Sequence, residues 1–299
     1  MKTERESLLP ALSIAFAAIM WGTIGIFGKV MMNSGLSAYM TGCIKLLGSS
    51  LMLGLYFVNG KRSYFKIGWR DLGALLVMAF FTQAIFNCTY YPVVDMLGVA
   101  QAGVLLYTAP IFLTIWSTLL FKEALTARKV FGVCLCFTGS VLAITGGSMA
   151  ASSFSTKGII LGLMSAVSFS LMSVFSKFLL KRLKPLTVIF YAFLFGGLMI
   201  MPFANMSAAL PILMQTPVLM SALGLALIGS VLPYIFYFKG IHMGIDLSKA
   251  GVISVIELIT SICLAIVLFG EYLTLVKTLG VALIIIAIII IQKPQKMLC

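Results

Sequence analysis

Acidic residues are scarce in this chain. It has 8 Asp+Glu against 21 Lys+Arg in 299 residues, and a single histidine, His242. Charged residues of both signs make up only 10%, whereas a soluble domain carries about 25%. That scarcity excludes a soluble domain, and it excludes disorder, which needs polar and charged sequence. The six cysteines form no CxxC and have no histidine beside them, so no zinc-type Cys/His site is expected and no metal or cofactor is called for. There is no HExxH, GxSxG or Walker pattern either, which argues against an intramembrane enzyme and against direct use of ATP.

What the chain has is apolar sequence: 61% hydrophobic residues and a mean hydropathy of +1.13. A bilayer crossing takes about 20 mostly apolar residues in a helix. Cutting at charge and turn clusters predicts ten spans, over 9–32, 36–58, 70–92, 98–121, 127–145, 157–180, 185–204, 216–240, 246–269 and 273–292. The N-terminal stretch has the charged start of a signal peptide. Its apolar part is too long and no A-x-A site closes it, so it reads as the first span. The expected fold is an all-α integral membrane protein.

The net charge of +13 would suggest nucleic acid in a soluble protein; here its placement matters more. With the N-terminus in the cytoplasm, Lys29 and Lys45 fall within spans and only Lys157 and Lys277 fall outside the cell. All other Lys and Arg lie on the inner side. By the positive-inside rule both termini are then cytoplasmic and the protein sits in the cytoplasmic membrane, with no nucleic-acid partner.

The chain also repeats itself. Phe121-Lys122-Glu123-Ala124-Leu125-Thr126 resembles Phe269-Gly270-Glu271-Tyr272-Leu273-Thr274, an offset of 269 − 121 = 148. The same offset pairs Ala102-Gly103-Val104 with Ala250-Gly251-Val252, Lys129 with Lys277, and Lys29 with Lys177. The domain reading is a first five-helix repeat over 1–145, a linker over 146–156, a second repeat over 157–292 and a cytoplasmic tail over 293–299. Five is odd, so the two repeats are expected to be inverted. Inverted repeats are the architecture of many secondary transporters, with the substrate near midplane between the halves.

These residues resemble the EamA-like family of the drug/metabolite transporter superfamily. The resemblance covers both halves. It rests on Tyr107-Thr108-Ala109-Pro110 followed by Phe121 to Thr126, on Glu257 with Phe269 to Thr274, on Trp21-Gly22, and on Lys45, where the family more often has Arg. Leu258 stands at the repeat position of Pro110. The resemblance implies a ten-helix carrier of small metabolites such as amino acids or amines, often an exporter. A non-transporting scaffold or a subunit of a lipid-carrier translocase is the alternative. Monomer and homodimer are both open.

Glu257 is the sharpest candidate residue, because an ionisable group near the bilayer centre is expensive and marks function. It is read as the binder of a cationic substrate group or a coupling proton, with Lys45 as its possible ion-pair partner. Its helical neighbours Ser254, Thr260 and Ser261 share its face. Span three carries a polar-aromatic face of Gln83, Asn87, Tyr90 and Tyr91; span eight carries Ser230, Tyr234 and Tyr237. Trp21, Asn87, Tyr90, Tyr107, Phe169, Tyr234, Tyr237 and Glu257 are therefore the expected substrate-binding set, with aromatic rings suited to an ammonium group. Pro110 and Pro233 are candidate hinges, since proline removes a helix hydrogen bond. Gly22, Gly25, Gly28 and the serines of span six, among them Ser168 and Ser173, read as close-packing residues. Glu123 and Glu271 read as helix-end contacts, with a gate as the functional alternative.

Overall fold

The structure is a computed structural model that describes residues 4–97, 99–148, 155–270, 272 and 274–292. Ten helical spans are long and apolar enough to cross a membrane: Leu8–Asn33, Ala38–Val58, Trp69–Val94, Gln101–Phe121 and Ala127–Thr145 in the first half, then Thr156–Leu179, Pro185–Phe203, Thr216–His242, Leu247–Leu268 and Leu275–Gln292. We call them spans one to ten. They match the predicted spans to within about three residues, and no strand occurs among the described residues. Helices are forced because lipid offers no partner for an open backbone. Residues 149–154 of the predicted linker, the tail 293–299 and Glu271 lie outside the described residues.

The packing repeats under exchange of the halves. Span one packs on span eight, and span six on span three; span two packs on span eight, and span seven on span three. Spans five and ten pack on each other, as do spans four and nine. At the crossing of spans five and ten, a Cβ on Gly139 would come within 2.8 Å of the Gly280 carbonyl. The mates of that pair, Ala287 and Gly132, also meet: a Cβ on Gly132 would lie 3.7 Å from the Ala287 carbonyl. Only small residues let two backbones approach so closely.

The shared motif at the ends of spans four and nine has a physical meaning. Lys122 (φ 54°) and Gly270 (φ 66°) both end their helix in the left-handed conformation. Four residues further on, Thr126 and Thr274 cap the next helix: each hydroxyl accepts from the backbone N–H of Lys129 (3.3 Å) or Lys277 (3.2 Å). The motif is thus a helix stop followed by a helix start.

Five spans near the molecule's centre are irregular: span one breaks at Gly22-Thr23, where its mate in span six runs on unbroken, and the other four are irregular in mated positions. Span four breaks at Tyr107-Thr108 and span nine at Val255, which are 148 residues apart at Tyr107 and Val255. Spans three and eight each contain a π-turn, Phe80–Ala84 and Leu227–Val231. Such turns leave carbonyls short of partners, and serines supply them. Ser168 donates to the Phe81 carbonyl, and Ser230 donates to the Leu225 carbonyl at 3.1 Å. Pro110 is not buried in the middle of a regular helix; it stands at the start of the helix Ala109–Phe121 that follows the break. Pro233 likewise stands at the start of Leu232–His242, just after the π-turn.

Candidate functional site

The irregular centres of spans three, four, eight and nine surround a cavity of about 200 Å³. Its walls include Trp21, Lys45, Tyr90, Tyr107, Pro110, Phe169, Tyr234, Tyr237 and Glu257. Seven of the eight residues expected to bind substrate are therefore on one wall set, with Lys45 and Pro110 beside them. Asn87 departs from the expectation. It is buried at 1% exposure but does not line the cavity; its amide donates to the Gln83 carbonyl at 2.5 Å. The cavity face of span three is instead Thr82, Gln83, Phe86 and Tyr90. The hinge candidate Pro233 also lies off the wall. The side chain of Tyr91 is outside the described residues.

The aromatic wall is arranged in mated contacts. Trp21 meets Tyr234 with centroids 5.5 Å apart, and Phe169 meets Phe86 at 6.0 Å. Trp21 and Phe169 are repeat mates, and so are Phe86 and Tyr234 (86 + 148 = 234). The two halves meet at Trp21 and Phe169 themselves, 6.3 Å apart. Phe86 carries no polar marker in the sequence; its mate Tyr234 and the constant offset are the signal that points to it.

The charges break this symmetry. Glu257 and Lys45 are the acidic and the basic residue on the cavity wall, and their mates are Ala109 and Phe193. Both are half-buried. They feel each other's charge, yet the ion pairs within 4.0 Å among the described residues do not include them. An ammonium and a carboxylate thus face one space without closing on each other.

The cavity continues toward one end. A second lobe of about 570 Å³ shares Trp21, Lys45, Tyr90, Tyr107 and Glu257 with the first. It runs past Gly25, Gly28 and Ser261 to Met32, Ala38, Tyr272 and Lys277, at the end bearing the turn after span one. Toward the opposite end, where the basic loops 59–68 and 180–184 lie, hydrogen bonds tie the spans to one another across the path. Below the aromatic wall, Ser173 and Tyr237 share a hydrogen bond at 2.7 Å. Further down, Ser117 and Ser248 share one at 2.8 Å, between spans four and nine.

Ten spans around an aromatic-walled pocket that holds one ammonium and one carboxylate suit a carrier, and the sequence comparisons agree. The EamA-like transporter family model matches the chain twice, over residues 8–145 and 156–292. The chain belongs to the EamA-like transporter family. The two matches coincide with the two halves of the repeat, so this member is a membrane transporter built from two copies of the family unit. It is 25% identical over 299 residues to a protein named as an uncharacterized inner membrane transporter, YicL, of Salmonella typhimurium, covering 99% of this chain and 98% of that one. It is 24% identical over 292 residues to an uncharacterized transporter, YetK, of Bacillus subtilis, covering 95% and 87%. A solved crystal structure shares the fold with a TM-score of 0.72 at 18% identity, covering 94% of this chain and 96% of that one.

Proposed function

We propose that this EamA-like transporter is a secondary carrier that moves small amino acids or amines across the cytoplasmic membrane by alternating access. Its two halves are inverted and both termini are cytoplasmic, so the open lobe faces outward. Export is the direction the family resemblance suggests. The observation that carries the reading is the separation of Lys45 and Glu257 across one cavity. An unpaired charge inside a membrane is expensive, and two that face each other without pairing leave room for a ligand that pairs with both. A zwitterion offers its ammonium to Glu257 and its carboxylate to Lys45. A simple amine meets Glu257 and the rings of Trp21, Tyr234 and Tyr237. Because the mates of both charges are uncharged, the ligand is held in one orientation. The outer lobe of about 570 Å³ falls in the range of small-molecule sites, about 300–1,000 Å³, and the inner lobe of about 200 Å³ extends it inward. Glu257 also serves as the carrier of a coupling proton.

Flux of labelled amino acids and amines into proteoliposomes under an imposed pH gradient tests this. Saturable, gradient-dependent uptake by the wild type is expected, and uptake by Glu257→Gln should no longer respond to the gradient while the protein stays folded. Absence of flux for every member of both classes would refute the substrate assignment. An unaltered pH response in Glu257→Gln would refute the proton role.

A further inference from the structure

Below the cavity, at the basic end, Glu123 joins four separate segments. Its Oε1 accepts from Lys177 Nζ of span six at 2.7 Å and from the backbone N–H of Leu247, the first residue of span nine, at 3.1 Å. Its Oε2 lies 3.7 Å from Lys129 Nζ of span five, and Lys129 reaches Asp246 at 3.3 Å. Glu123 belongs to the first half; Lys177, Asp246 and Leu247 belong to the second. A contact that only braced the next helix would stop at Lys129.

We infer that Glu123 is the latch of the basic end: its bonds to Lys177 and Leu247 hold the two halves together there, and transport requires that they break and re-form. This rests on the alternating-access reading above. Three features suit a contact that must open. First, the carboxylate is placed where the two halves meet on that path, directly beyond the Ser117–Ser248 contact. Second, the network is incompletely satisfied, since Oε2 is buried with no hydrogen-bond partner; a half-satisfied buried group is costly and lowers the barrier to separation. Third, Lys122, just before it, holds a left-handed backbone (φ 54°), which is strained for a residue with a side chain. The two lysines balance Glu123 and Asp246, so the charges can part into water at a basic membrane surface without leaving a net acidic patch.

Hydrogen–deuterium exchange of the full-length protein in lipid nanodiscs tests the latch, comparing wild type, Glu123→Gln and Lys177→Gln. Asp71→Asn is the control, since it loosens the Asp71–Arg182 pair (3.4 Å) at the same end but off the path. Losing a charge-assisted bond should speed exchange in 117–129 and 244–252 by about tenfold or more in both latch variants. Exchange in 24–38 and 261–267, at the open end, should slow at the same time as the population moves to the opposite closure. Asp71→Asn should not cause the reciprocal slowing. Faster exchange at the basic end alone would make Glu123 a local brace and overturn the proposal, as would loss of the folded state in both latch variants. Wild-type flux measured in parallel separates the two readings. A wild type without flux removes alternating access, whereas flux with no reciprocal change removes only the latch.

Discussion

Lys122 and Gly270 occupy the same left-handed backbone position, one at the end of each half's fourth helix. One half meets the conformation with the residue that adopts it freely; the other forces a lysine into it. Lys122→Gly should therefore leave the fold intact and raise thermal stability, by up to about 1 kcal/mol after the added chain entropy of glycine is subtracted. Gly270→Ala should lower it by about 1 kcal/mol. Thermal unfolding in detergent checks both, and a destabilising Lys122→Gly would contradict the account.

The cavity charges predict different substrate effects when removed singly. Lys45→Met should cost a zwitterion about tenfold or more in affinity, the order of one charged hydrogen bond, and should spare a simple amine. Glu257→Gln should cost both. Competition between labelled amine and unlabelled amino acid in proteoliposomes reads the difference. Equal losses for both ligands in Lys45→Met would mean that Lys45 holds the site together and does not contact ligand.

Trp21 and Asn87 give a matched contrast. Trp21 touches three rings of the wall, Phe169, Tyr234 and Tyr237, so Trp21→Ala should raise KM about tenfold. Asn87 is equally buried but faces away from the cavity. Asn87→Ala should change KM by less than about twofold, while stability shifts by about 1 kcal/mol through its lost bond to Gln83. A larger transport defect in Asn87→Ala than in Trp21→Ala would mean that Asn87, and not Trp21, contacts the substrate.

The crossing of spans five and ten should tolerate no side chain. A Cβ on Gly280 would come 2.6 Å from the Gly139 carbonyl and 2.8 Å from Ala143 Cα. These are backbone atoms that cannot step aside. Gly280→Ala should cost about 1–3 kcal/mol. Gly25→Ala, whose Cβ would meet nothing within 4 Å, should be neutral or slightly stabilising. Melting temperatures of the two variants decide, and an equal loss in both would mean that helix propensity and not crowding governs.

Much of the fold could be read from residue types. Charge clusters and turn residues such as Asn59-Gly60-Lys61-Arg62 gave the span limits, because lipid penalises them inside a span. The offset of 148 gave the two family units. The site was legible where cost made it so: Glu257 and Lys45 stand out because charge in lipid needs a reason. What was not legible is backbone irregularity without a marker residue. Val255 breaks span nine although Leu258 replaces the proline of span four, so the break depends on packing against the other spans. The π-turns leave no signature in Phe80–Ala84 or Leu227–Val231. The face of span three that meets the cavity therefore holds Phe86 and not the polar Asn87. The network at the basic end was hidden for a different reason: Glu123 and Lys177 are 54 residues apart, and only the folded chain brings them together.

A π-turn is an α-helix holding one surplus residue, and each residue of a helix turns the chain by about 100°. Everything after Ala84 in span three and after Val231 in span eight is rotated by that amount from where an uninterrupted helix would aim it. Phe86, Tyr90, Tyr234 and Tyr237 all lie beyond those points. The direction in which the carrier's aromatic wall looks is therefore set by counting and not by chemistry. Straightening each π-turn into a regular helix without removing a residue would keep every ring in the protein and turn it about 100° away, whereas deleting one residue from the π-turn would leave the rings aimed as they are.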